Sequence, residues 1–407
     1  MPKGAREGDS ACCRSLPSEF KHVAAVVRHF GECRKEPGHQ FAPAIGALPP
    51  SLRWPDTSAD CAVRRFDSAG GSSPPSEFMR MAIDQHSKTP HKRGNFMKHH
   101  IALCILCLSG LCFAETAHEL LPEYLADPFI LTTDDGYYLY ATGYVDEDKA
   151  IPVYRSDDMV NWQFVRAAVA VNPDPSAWNH KNFWAPEVFA WDGKYYLYYT
   201  ASPGTTPRNE GNRIGLAVAD HPAGPFVDQG PVVLHGSLDA TVVHDEQGQA
   251  YMAYALELNN GTGLGEGVIV IDRMLSPSRL VGKPRLLFNA HGWQEAPNFI
   301  HRSGRYFMLY SEGPWREPAY ATRLAVSATL AGPFAEIKAY SPALTTLPGM
   351  QGPGHGHYFK DRKGQEFFVY HAWDARMKRR SPRLARLQWE GAGLVLTPVA
   401  SPAALLQ

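Results

Sequence analysis

Gly136-Tyr-Tyr-Leu-Tyr140, Gly193-Lys-Tyr-Tyr-Leu-Tyr-Tyr199, Gly248-Gln-Ala-Tyr-Met-Ala-Tyr254, Gly304-Arg-Tyr-Phe-Met-Leu-Tyr310 and Gly364-Gln-Glu-Phe-Phe-Val-Tyr370 are five versions of one segment. In each, a glycine opens a short aromatic run that closes on tyrosine. The closing tyrosines stand 59, 55, 56 and 60 residues apart. Self-similarity at this period, with several short strands per unit, predicts propeller blades. The expected fold is therefore all-β, a five-bladed β-propeller. A polar residue precedes each closing tyrosine by 12 to 15 places: Asp127, Glu187, Asp239, Glu295 and His355. If each opens the innermost strand of its blade, all five face one axis. Four carboxylates and a histidine around one funnel form a catalytic arrangement.

The turns before the aromatic runs share their chemistry. They read Asp134-Asp-Gly136, Asp192-Gly193, Asp245-Glu-Gln-Gly248, Ser303-Gly304 and Arg362-Lys-Gly364. Glycine after a polar residue supplies the positive φ that a tight hairpin needs. A third strand is expected after each run, and Gly224-Pro-Phe226 and Gly332-Pro-Phe334 recur 108 residues apart, close to two repeat lengths. No long 3.6-residue apolar pattern occurs in this part, so helices are expected to be few. The aromatic strands read as packed sheet core, and function is expected at the strand starts.

Composition sets the outer bounds. Residues 1–96 are rich in Arg, His, Pro, Ser and Cys without sustained periodicity. Residues 97–114 begin Met-Lys-His-His and continue as an apolar run ending at Ala114, the form of a signal peptide and too short to span a bilayer. Because a signal peptide works near a chain start, Met97 reads as the initiator and 1–96 as upstream sequence. A genuine disordered extension is the alternative. All seven cysteines lie at positions 12 to 112, so the part from 118 to 407 has no disulfide framework, thiolate metal site or cysteine nucleophile. A net charge of −1 points away from nucleic acid and anionic membranes as main partners. An exported, neutral, aromatic-rich β protein suits an uncharged polysaccharide, with a secreted or periplasmic location.

The four acids sit in Ala126-Asp-Pro-Phe-Ile130, Trp184-Ala-Pro-Glu187, Gly236-Ser-Leu-Asp-Ala240 and Gln294-Glu-Ala-Pro297. A strand-start carboxylate by itself often only caps a turn. Four at equivalent positions in four of five repeats favour function, because crowding carboxylates around a dry axis is costly and tolerated mainly at working sites. Glycosidic cleavage needs carboxyl groups with separated pKa values: one protonates the leaving oxygen, while another attacks or activates water. A further carboxylate beside the acid keeps it protonated by repulsion.

On these motifs, together with Gly352-Pro-Gly-His-Gly356, Tyr370-His-Ala372 and the stretch from Arg380 to Trp389, residues 118–407 resemble glycoside hydrolase family 43. Those enzymes are five-bladed propellers acting on arabinose- and xylose-containing polysaccharides. The resemblance implies an inverting hydrolase with Asp127 as general base, Glu295 as general acid and Asp239 as the residue tuning and orienting the acid. It implies substrate contacts from Arg380, although Arg379 and Arg383 crowd that alignment. It also implies an axial ion, commonly calcium, met by His355 through water; the chemistry itself requires no cofactor. Here Gly356 follows His355 where the family commonly has Asn, and His357 is a weaker candidate. Phe129, Trp184 and Trp293 adjoin the acids and could stack on a pentose or pack beneath the rim, and Glu187 joins them as a substrate-binding candidate.

The chain ends soon after the fifth repeat, at Gln407. No appended β-sandwich is expected, which tips the reading toward an arabinofuranosidase acting on arabinan or arabinoxylan rather than a xylosidase. Two alternatives stand beside it. One is a catalytically silent, carbohydrate-binding propeller; the other is a retaining, fructoside-acting enzyme of a sister five-bladed family.

Overall fold

The computed structural model describes residues 117–207, 210–290 and 292–405. The expected signal peptide and the 1–96 extension lie outside the described residues. Five antiparallel sheets of four or five strands follow one another along the chain. Their first strands are Ala126–Thr133, Lys181–Trp191, Ser237–His244, Gln294–Arg302 and Met350–Lys360. Each touches the first strand of the next blade, and that of blade five touches that of blade one. The chain is a closed five-bladed β-propeller, as the repeats predict.

Each hairpin forms where the turn glycines stand. Asp192 and Gly193 (φ 49° and 72°) connect the paired residues Trp191 and Lys194, and Ser303 and Gly304 (51° and 68°) connect Arg302 and Arg305. Two positive φ angles match the right-handed twist of the flanking strands. The aromatic runs become the second strands, and all five closing tyrosines are buried. Burying an aromatic side chain contributes about 1.5–3 kcal/mol. Tyr140, Tyr199, Tyr254, Tyr310 and Tyr370 are therefore framework, lying in the hydrophobic clusters that join the blades.

The ring is fastened by the segment before blade one. His118 and Leu120 donate backbone hydrogen bonds to Val399 and Pro382 of blade five, and Leu125 donates to Arg380. Glu119 accepts from Arg379 (2.6 Å) and from the buried Arg383 (2.9 Å). First and last parts of the propeller are thus locked by backbone pairing and one ion cluster.

Candidate active site

Each first strand carries a β-bulge near its start, where its register with the second strand breaks. At the breaks residues turn left-handed: Asp127 (φ 50°), Asn182 (63°) and Ala185 (48°), Asp239 (61°), Ala296 (52°), and Gly352 (51°) and His355 (45°). For a residue with a side chain this costs about 1–2 kcal/mol, and bulges next to active sites serve to re-aim side chains. The bulges correct the expected equivalence of the carboxylates. Asp127, Asp239 and His355 occupy the bulge itself, Glu295 precedes one by a residue, and Glu187 follows one by two. In a strand successive side chains face opposite ways, so these offsets give the acids different neighbours.

Asp127 is held as an anion. Burial raises its pKa, but His355, His371 and Arg380 outweigh burial and hold the carboxyl well below the usual range. His355 Nδ1 lies 3.4 Å from Oδ1; His371 Nδ1 accepts the Asp127 backbone N–H at 3.1 Å and lies 3.1 Å from Oδ1, while the Thr142 hydroxyl donates to Oδ2 at 2.5 Å. Thr142 in turn accepts from the Ala185 backbone N–H at 2.8 Å, tying the site to blade two. Arg380 Nη1 stands 3.7 Å from Oδ1. Its guanidinium lies 4.3 Å from the Trp315 ring centre, 5.4 Å from Trp373 and 5.6 Å from Tyr124, whose hydroxyl accepts from Nε at 3.2 Å. Arg379 and Arg383 point away, to Glu119.

Asp239 and Glu295 behave oppositely. Burial, with repulsion from Glu295 and Asp127, raises Asp239 well above the carboxylate range, and burial raises Glu295 despite His355 and its hydrogen-bond donors. Two neighbouring carboxyls titrate as a pair, so the pair retains a proton where Asp127 has none. Asp239 Oδ2 accepts the Ala296 N–H at 3.1 Å and lies 3.5 Å from His355 Nδ1. Glu295 accepts from the Trp293 indole (2.7 Å, Oε2) and the Tyr320 hydroxyl (2.6 Å, Oε1). Asp127, Asp239, Glu295, His355 and Arg380 thus converge from four blades, an ionised carboxylate beside a proton-holding pair.

The other candidates surround these groups. Glu187 Oε1 accepts from Thr241 Oγ1 and the Val242 N–H, both at 3.0 Å, making it a tie between blades two and three. Burial pushes its pKa up to about 8. Phe129 is buried and packs 4.1 Å from the His357 ring. Trp184 is half-buried, one residue before the blade-two bulge. Sequence reading missed Thr142, Tyr320, the His371 contact and the Tyr124–Trp315–Trp373 box. Only Tyr370-His-Ala372 carried a signal for any of them, through the resemblance.

Asp127, Phe129, Glu187, Asp239, Asn298, His355 and His357 share a central cavity of about 30 Å³. The buried His357 Nδ1 has no hydrogen-bond partner, and an oxygen-rich lining suits water or a hard cation. Asp239, Glu295 and His355 could also offer three atoms within 4.8 Å of one another.

A propeller whose axis gathers an anionic carboxylate and a proton-holding carboxyl pair carries the groups that glycosidic cleavage needs. Residues 120–395 match the family described as glycosyl hydrolases family 43, and the chain belongs to that family. It is 23% identical over 322 residues to a xylosidase/arabinosidase of Bacteroides ovatus, covering 68% of this chain and 95% of the relative. It is 26% identical over 340 residues to an extracellular exo-α-(1→5)-L-arabinofuranosidase of Cellvibrio japonicus (strain Ueda107), covering 72% and 90%. A thermostable family-43 glycoside hydrolase of known structure superposes with a TM-score of 0.60 at 28% identity, covering 69% of this chain and 95% of that one.

Proposed function

We propose that this hydrolase releases α-L-arabinofuranosyl or β-D-xylosyl groups from arabinan or arabinoxylan with inversion of configuration. The observation that carries the reading is the contrast between Asp127, held ionised by two imidazoles and Arg380, and the Asp239–Glu295 pair, which keeps a proton. Asp127 takes a proton from water as that water attacks the anomeric carbon. Glu295 delivers a proton to the leaving oxygen as the glycosidic bond breaks, and Asp239 orients the acid and keeps it charged with that proton. Arg380 steadies Asp127 and a substrate hydroxyl, while Trp184 offers a half-buried surface to the sugar. The relatives named for arabinose and xylose release support these substrates.

A calcium ion, when bound in the central cavity, would meet His355 through water and stiffen the channel; the chemistry runs on the carboxyl groups. Export fits a polymeric substrate and the extracellular relative, and among the described residues no helix is long and apolar enough to cross a membrane. The test is a panel of nitrophenyl arabinofuranoside, xyloside, fructoside and glucoside with arabinan and xylan, followed by NMR of the first anomer formed. Turnover of a pentoside with the inverted anomer is expected. Retention would point to the sister-family route, and no turnover to a binding propeller.

A further inference from the structure

Gly352-Pro-Gly354 in blade five is glycine-rich for a reason outside its own strand. A Cβ on Gly354 would stand 2.2 Å from Tyr320 Cε1 and 2.7 Å from Cδ1. Gly354 has no left-handed φ to explain its identity. At Gly352 a Cβ would stand 2.8 Å from the Glu317 carbonyl, in the segment leading to Tyr320. The space left by Gly354 is filled by the Tyr320 ring, which has no solvent exposure, while Gly352 has a left-handed φ of 51° that by itself favours glycine. From that seat its hydroxyl donates to Glu295 Oε1 at 2.6 Å. The ring also lies 6.0 Å from His371, within 6° of parallel, and His371 is the imidazole at Asp127.

We propose that Tyr320 is a positioning residue of the general acid, and that position 354 is glycine to seat its ring. The terminal torsion of a glutamate is broad and roughly two-fold, so an unrestrained carboxyl presents its proton in many directions. With Tyr320 on one oxygen and Trp293 on the other, the carboxyl plane is fixed. Each oxygen keeps a second lone pair for the proton to be delivered. A misplaced acid loses rate steeply even when substrate binds normally. The same ring backs His371, so a single buried side chain steadies supports of both reacting carboxyls.

The inference rests on Glu295 being the acid, and the test separates the two claims. Tyr320→Phe keeps the ring and removes the donor. On a pentoside with a poor leaving group its kcat is expected to fall about tenfold or more, the scale of one hydrogen bond to a charged group. On a nitrophenyl pentoside the loss should be under about twofold, with KM unchanged in both. A ring-fluorinated tyrosine placed at position 320 keeps the shape and changes only donor strength; it too should alter kcat selectively on the poor leaving group. Equal losses on both substrates, or none in either variant, overturn the role of Tyr320. Glu295→Gln run in parallel should show the leaving-group dependence more strongly. If it does not, the assignment of the acid fails instead.

Discussion

Asp127 and Glu295 differ in chemistry because their partners differ. Two imidazoles, a hydroxyl and a guanidinium face Asp127, whereas Glu295 shares only His355 with it and otherwise has neutral donors and a second carboxyl nearby. Asp127→Asn and Glu295→Gln are each expected to lower kcat by about 10³-fold, within the range usual for an acid–base partner. The Glu295 loss should shrink on good leaving groups, which need little protonation, and an equal loss would remove it as the acid. Asp239→Asn tests the pair. Repulsion raises the pKa of the pair's last proton, so removing one charge lets the remaining acid deprotonate at lower pH. The alkaline limb of kcat/KM should therefore move downward, while an unmoved limb with near-normal activity would leave Asp239 a structural residue.

At the level of strands, the bulge is the unit that places chemistry. Asp and His accept the left-handed conformation more readily than most residues, and three of these bulges use them. Those nearest the other two carboxylates use Ala185 and Ala296, each followed by proline, with the carboxylate displaced along the strand. Nothing in the local sequence of these alanines announces a positive φ. Spacing to the closing tyrosine therefore located the acids without showing which way each one turns. The segment before blade one supplies its own prediction. Glu119→Gln leaves the buried Arg383 without its counter-ion. The partly exposed cluster should lose about 2 kcal/mol, lowering Tm by about 5 °C with kcat unchanged. A variant with full Tm would show that backbone pairing alone fastens the ring.

At the scale of the molecule, all five blades and every proposed site residue lie among the described residues from 117 onward. A protein beginning at Glu115 is expected to show the same cooperative melting and the same kcat as the longer chain. Loss of either would mean that the preceding residues contribute to folding or to the site. The central cavity sits where all five first strands meet, so its lining is drawn from residues far apart in the chain. His371 is 244 residues from the Asp127 it supports.

Read by itself, the sequence determined the five blades, their hairpins, the buried tyrosines and the chain positions of the acids. Those features are local: a glycine where φ must be positive, an aromatic run of strand length, a repeat near 57 residues. It also placed Glu187 among the site residues, and folding sets that carboxyl on the central cavity while tying blade two to blade three. Which side chain supports which acid was decided only by tertiary structure. Closing the ring brings Tyr320 against Gly354 and Glu295, His371 against Asp127, and Arg380 into its aromatic box. Ring closure converts one-dimensional spacing into contact around an axis, and the ionisation of each carboxyl follows from that contact.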